Sequence, residues 1–70
     1  MTLGKKIFTL RSAAHISQET LAEKLDVSRQ SVSKWEMDQA VPQIDKVLLL
    51  CDLFSISCDT LLREDAEIYG

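Results

Sequence analysis

Two stretches of helical periodicity, "SQETLAEKL" and "SRQSVSKWE", stand only two residues apart, with Asp26 and Val27 between them. No other feature limits the fold as much. A connection that short cannot reverse the chain gently, so the two helices must cross steeply and touch beside the turn. The small Ala22 permits that approach, and Leu21, Ala22 and Leu25 recur at the spacing of one buried face. In the next helix Val32 and Trp35 lie three apart on an inward face, leaving Ser28, Arg29, Gln30, Ser33 and Lys34 outward. The outward groups donate hydrogen bonds and two are cationic. Alone, such a face is more often solvated than used.

The remaining sequence fits an all-α frame around that pair. Leu3, Ile7, Leu10 and Ala14 predict a first helix over about residues 2–13, with Gly4 tolerated in its first turn. Ser17 is placed to cap the second helix, with Glu19 in its first turn, and Ser28 to cap the third, which should end near Met37. Pro42 is positioned to start a fourth helix over residues 43–54. Its expected core face is Ile44, Val47, Leu48, Cys51 and Phe54, with Leu49 and Leu53 opposite. Ser57 should cap a short fifth helix, with Asp59 in its first turn, ending near Arg63. Residues 1–63 thus form one domain and residues 64–70 a tail, expected to fray, or the start of a linker to something longer. None of the helix ends carries glycine. His15, Asp26 and Asp38 are the candidates for left-handed closing residues, and at least two should have positive φ. On that reading Asp26→Gly or Asp38→Gly should stabilise.

A net charge of -3 hides an uneven distribution. Residues 1–35 carry six Lys and Arg against three acids, while residues 36–70 carry two against eight. Because charges are screened over about 8 Å, a basic end can face a polyanion although the chain as a whole is acidic. The longest apolar run, "VLLLC", is far too short to cross a bilayer, and no apolar segment follows Lys5 and Lys6 as a secretory signal requires. A cytoplasmic protein is expected. Cys51 and Cys58 lack the spacing of a zinc or redox motif and read as a reduced, structural pair. His15 is the only histidine and no glycine-rich phosphate loop is present, so neither a metal, a cofactor nor an enzyme's active site is expected.

The segment "SQETLAEKLDVSRQSVSKWE" resembles the helix-turn-helix of the phage-repressor and Cro-like family, also called the XRE family. The likeness is carried by Ser17-Gln18, Leu21-Ala22, Leu25, Val27-Ser28, Val32 and Lys34-Trp35-Glu36, and extends through "LGKKIFTLR" before it and "VPQIDKVLLLCDLFSISCDTLL" after it. His15, Asp26 and Asp38 depart from it, standing where glycine is usual, and Phe8 replaces a usually polar residue. The resemblance implies a compact five-helix, lambda-repressor-like DNA-binding domain with the helix-turn-helix formed by helices 2 and 3. It implies that the third helix enters the major groove of double-stranded DNA. The reading residues would be Arg29, Gln30 and Lys34, with Ser28 and Ser33 adjacent, and Gln18, at an exposed helix start, would grip a phosphate. It also implies that Arg11 and Glu36 bridge the first and third helices. Trp35 is read as core.

The chemistry agrees, since Arg forks onto guanine and Gln onto adenine in the major groove. Lys5 and Lys6 are candidates for backbone contact. Leu49 and Leu53, with Phe8, fit no core face, so a homodimer through the helix 4/5 region is expected unless helix five, Ile68 and Tyr69 cover them. The function implied is sequence-specific transcriptional regulation, repression ahead of activation, needing no cofactor. The alternative is an antitoxin-like or other protein-interaction module using the acidic second half.

Overall fold

Hydroxyl side chains start four of the five helices in the computed structural model, which describes residues 1–68. The helices are α1 (Leu3–Ala13), α2 (Gln18–Leu25), α3 (Arg29–Glu36), α4 (Ile44–Phe54) and α5 (Cys58–Leu62). Thr2, Ser17, Ser28 and Ser57 each accept a hydrogen bond from the backbone N–H three residues on, at Lys5, Thr20, Ser31 and Thr60. Each cap satisfies a donor that the first helical turn leaves free, at about 1 kcal/mol. Gln43 stands at the corresponding place before α4 without a side-chain cap. Pro42 is therefore one residue before the cap rather than inside the helix.

Four helices end in the same way. His15, Asp26, Asp38 and Ser55 all adopt the left-handed conformation, with φ of 58°, 57°, 57° and 56°. The residue after each donates its N–H to the carbonyl five back: Ile16 to Arg11, Val27 to Ala22, Gln39 to Lys34 and Ile56 to Cys51, at 3.3, 3.0, 2.8 and 3.1 Å. Ile16, Val27 and Ile56 then pack against the core, the apolar contact that accompanies this closure. The three left-handed residues expected from sequence are thus all present. Ser55 is a fourth, which the sequence reading passed over.

The core is Ile7 from α1, Leu21, Ala22 and Leu25 from α2, Val32 and Trp35 from α3, Val47, Leu50 and Cys51 from α4, and Leu61 from α5. The expected face of α4 needs correction. Ile44 and Leu48 are 68% and 52% exposed, whereas Leu50, unassigned from sequence, is fully buried. The helix is apolar nearly all round, so its periodicity alone does not fix which stripe faces in. Ala14, expected on the inner face of α1, is also exposed. Leu49 and Leu53 remain 42% and 38% exposed, uncovered by α5 or by the half-buried Ile68. The expected contribution of Tyr69 lies outside the described residues.

Two positions in α1 do more than the pattern suggested. Gly4 is buried, and a Cβ there would overlap the carbonyl oxygen of Trp35 and lie 2.7 Å from Asp38 Oδ1. Glycine at this place is required for α1 to meet the end of α3 rather than merely tolerated. Lys6 is wholly buried, and its Nζ donates to the carbonyl oxygens of Thr60 (2.6 Å) and Arg63. A cation at the last carbonyls of α5 satisfies acceptors that the helix leaves free. Lys6 is a strut between α1 and α5, not the surface contact considered from sequence.

Candidate nucleic-acid interface

The geometry of α3 follows from which of its residues the core takes. Val32 is fully buried and Trp35 is 6% exposed, so the opposite side of the helix stands out from the body. Arg29, Gln30 and Lys34 are exposed there, Ser33 is half-buried, and Ser28 is exposed but occupied as the cap. Arg29, Gln30, Ser33, Lys34, Met37 and Gln39 line one shallow, open depression. The structure therefore gathers four outward residues, Arg29, Gln30, Ser33 and Lys34, and adds Met37 and Gln39, to which the sequence assigned no part in the surface. Gln39 is brought in by the left-handed Asp38, a consequence of turn geometry and not of helical spacing.

Beneath α3 runs a chain of hydrogen bonds. Arg11 donates from Nε to Glu36 Oε2 (2.7 Å), from Nη2 to Glu36 Oε1 (3.0 Å) and from Nη1 to the carbonyl of Ile16 (3.0 Å). Gln18 Nε2 donates to Glu36 Oε1 at 3.0 Å, and Arg29 Nη1 donates to Gln18 Oε1 at 3.1 Å. The Arg11 and Glu36 side chains are 14% and 6% exposed. Their two-pronged pairing fixes angle as well as distance and crosses from α1 to α3, as the family likeness implied. The hydrogen bonds that Arg11 donates to Glu36 hold its guanidinium above its ordinary pKa, against the opposing effect of burial. With Glu36 satisfied internally, Arg29 and Lys34 face solvent without a carboxylate of α3 to neutralise them.

Gln18, at the start of α2, is half-buried, with both ends of its amide engaged. A phosphate arriving there would meet the first backbone N–H groups of α2, or draw the amide away from Glu36. Arg29 spends one of its donors on Gln18 and keeps the others for an outside acceptor. Asp38, after α3, accepts from Gly4 N (3.0 Å) and Thr2 Oγ1 (2.8 Å), so it caps α1 while its backbone closes α3. Phe8 lies on the outer side of α1 with Lys5 Nζ and the Arg11 guanidinium each 5.4 Å from its ring centre. Those two cations account for an aromatic that fits no core face. Among the described residues, no group of three or more His, Cys, Asp or Glu could hold a metal ion, and no helix is long and apolar enough to cross a membrane.

Five helices with a projecting third helix clamped over the second define a phage-repressor-like helix-turn-helix domain. The helix-turn-helix family profile HTH_3 matches residues 7–61, and the chain belongs to that family, one of transcription regulators rather than enzymes. It is 37% identical over 68 residues to the HTH-type transcriptional activator BcrR of Enterococcus faecalis, covering 97% of this chain and 33% of that protein. It is 37% identical over 65 residues to the HTH-type transcriptional regulator ImmR of Bacillus subtilis (strain 168), covering 93% of this chain and 51% of that protein. The chain thus spans a third to a half of the length of these relatives. Among solved structures, the P22 c2 repressor in complex with a synthetic operator superimposes with a TM-score of 0.86 at 29% identity, covering 93% of this chain and 98% of that one.

Proposed function

We propose that this chain binds double-stranded DNA sequence-specifically through α3 and regulates transcription from the site it occupies. The observation that carries the reading is the exposed, cationic and amide-bearing face of α3 held rigidly by Val32 and Trp35. Arg29 and Gln30 test base edges in the major groove, Arg toward guanine and Gln toward adenine. Lys34 and Ser33 lie one turn further along and contact bases or adjoining phosphates, while Ser28 and the start of α2 at Gln18 face the backbone. Phosphate contacts supply affinity and a steep salt dependence, and the base contacts supply the preference. The likeness to the P22 c2 repressor in complex with a synthetic operator supports double-stranded DNA as the partner.

The exposed Leu49 and Leu53 of α4 are proposed to pair two copies. Such a dimer would set two α3 helices on an inverted repeat, as symmetric regulators commonly do. Repression is the simpler outcome, since occupying a promoter suffices. The antitoxin-like alternative finds no support in relatives named as transcription regulators. Selection of bound sequences from random duplex DNA tests the proposal: an enriched motif with two related halves is expected, and a pool without any motif after repeated rounds contradicts sequence-specific binding.

A further inference from the structure

The two cysteines are unused by the interface, yet the fold brings them together. Cys51 lies on the inner face of α4 and is 6% exposed; Cys58 is the first residue of α5 and half-buried. Between them the left-handed Ser55, Ile56 and the capping Ser57 turn the chain so that Cys58 Sγ donates to Cys51 Sγ at 2.8 Å. Both thiols are free. The two sulfurs face each other, and a bond needs them at about 2.05 Å. The geometry points to Cys51 and Cys58 as a redox-modification site, in which a peroxide-class oxidant joins the two sulfurs and staples α5 to α4 within one chain.

The order of events follows from exposure. Cys58, the accessible sulfur, attacks one oxygen of hydrogen peroxide as its thiolate; the O–O bond breaks, the other oxygen leaves as hydroxide, and Cys58 becomes a sulfenic acid. Burial beside Cys58 pushes the Cys51 thiol up to about 11, so Cys51 stays protonated until this stage. Its sulfur then gives an electron pair to the Cys58 sulfur, its proton goes to the departing hydroxyl, and water leaves. Two thiols lose two electrons in all, and one peroxide becomes two waters. The bond closes a short loop around the α4–α5 turn. It also fixes the small helix that carries Leu61 into the core and receives Lys6 Nζ at Thr60 and Arg63.

Treating the reduced chain with a few equivalents of hydrogen peroxide, followed by thiol counting, intact mass and denaturant unfolding, tests this. The expected product is a monomer lighter by two hydrogens, with no free thiol and a folded-to-unfolded ratio raised by roughly 10- to 50-fold, reversed by dithiothreitol. Cys58→Ser, at a half-buried position, should still fold and show neither change. Oxygen addition to Cys58 with Cys51 left as a free thiol, or disulfide-linked dimers in place of the monomeric product, would overturn the assignment. So would an oxidised monomer less stable than the reduced one.

Discussion

Replacing Gly4 with alanine reverses the usual sign of a helix substitution. In an exposed helix the change would stabilise by up to about 1 kcal/mol, because alanine has less backbone freedom to lose. Here the new Cβ would overlap the Trp35 carbonyl oxygen and lie 2.7 Å from Asp38 Oδ1 and 2.9 Å from its Cγ. The Trp35 oxygen is backbone and cannot rotate away, so α1 must lift off the end of α3. Overfilling a packed contact costs about 1–3 kcal/mol. Displacing the Asp38 carboxylate also weakens its bond from Gly4 N, and a hydrogen bond to a charged group is worth about 1.5–3 kcal/mol. Set against the propensity gain, the net loss is about 2–4 kcal/mol, a large part of the stability of a domain this size. Urea unfolding followed by the fluorescence of Trp35, which sits at the affected contact, measures it. A Gly4→Ala protein as stable as the parent would refute the claim that α1 and α3 meet there without room for a methyl group.

Asp26→Gly should stabilise by about 0.5–1 kcal/mol in the same assay, since it relieves a left-handed residue that makes no side-chain bond among the described contacts. Asp38→Gly, at the same φ, should instead destabilise because it also removes the acceptor for Gly4 N and Thr2 Oγ1 at the start of α1; equal effects of the two changes would contradict that distinction. Lys6→Met should cost about 1–3 kcal/mol by leaving the Thr60 and Arg63 carbonyls without their donor, while leaving the salt dependence of DNA binding unchanged. A shallower salt slope would return Lys6 to the DNA surface. The raised Cys51 thiol favours the folded state fully below pH 9, and that contribution is lost as pH climbs toward 11. Under reducing conditions stability should therefore fall more steeply between pH 8.5 and 10.5 in the parent than in Cys51→Ala, as read from urea midpoints; parallel declines would count against it.

Much of this fold was legible because its signals are local. Ser17, Ser28 and Ser57 announce their helices through cap chemistry, and a two-residue break between amphipathic stretches leaves one way to pack them. Even the left-handed turns at His15, Asp26 and Asp38 followed from where the periodicity stops. What sequence did not yield depends on elements far apart in the chain. The inward stripe of α4 is Val47, Leu50 and Cys51 because α2 and α5 lie against it, a choice invisible in a run with apolar residues on every side. Lys6 looks like a surface lysine until α5, over fifty residues later, presents its carbonyls. Gln18 and Gln39 are similar cases: the first is drawn inward by Glu36 and Arg29, the second swung beside Lys34 by the turn at Asp38.

Sequence discrimination by α3 is the central proposal. Its most direct test is to titrate the selected site and each of its single-base variants, at one fixed salt concentration, against the parent chain and Gln30→Ala. The expected result is a loss of about 1–3 kcal/mol of discrimination confined to one base pair per half-site, with preferences elsewhere intact. An equal weakening on every sequence, with the ranking of variants unchanged, would contradict it and leave Gln30 a backbone contact.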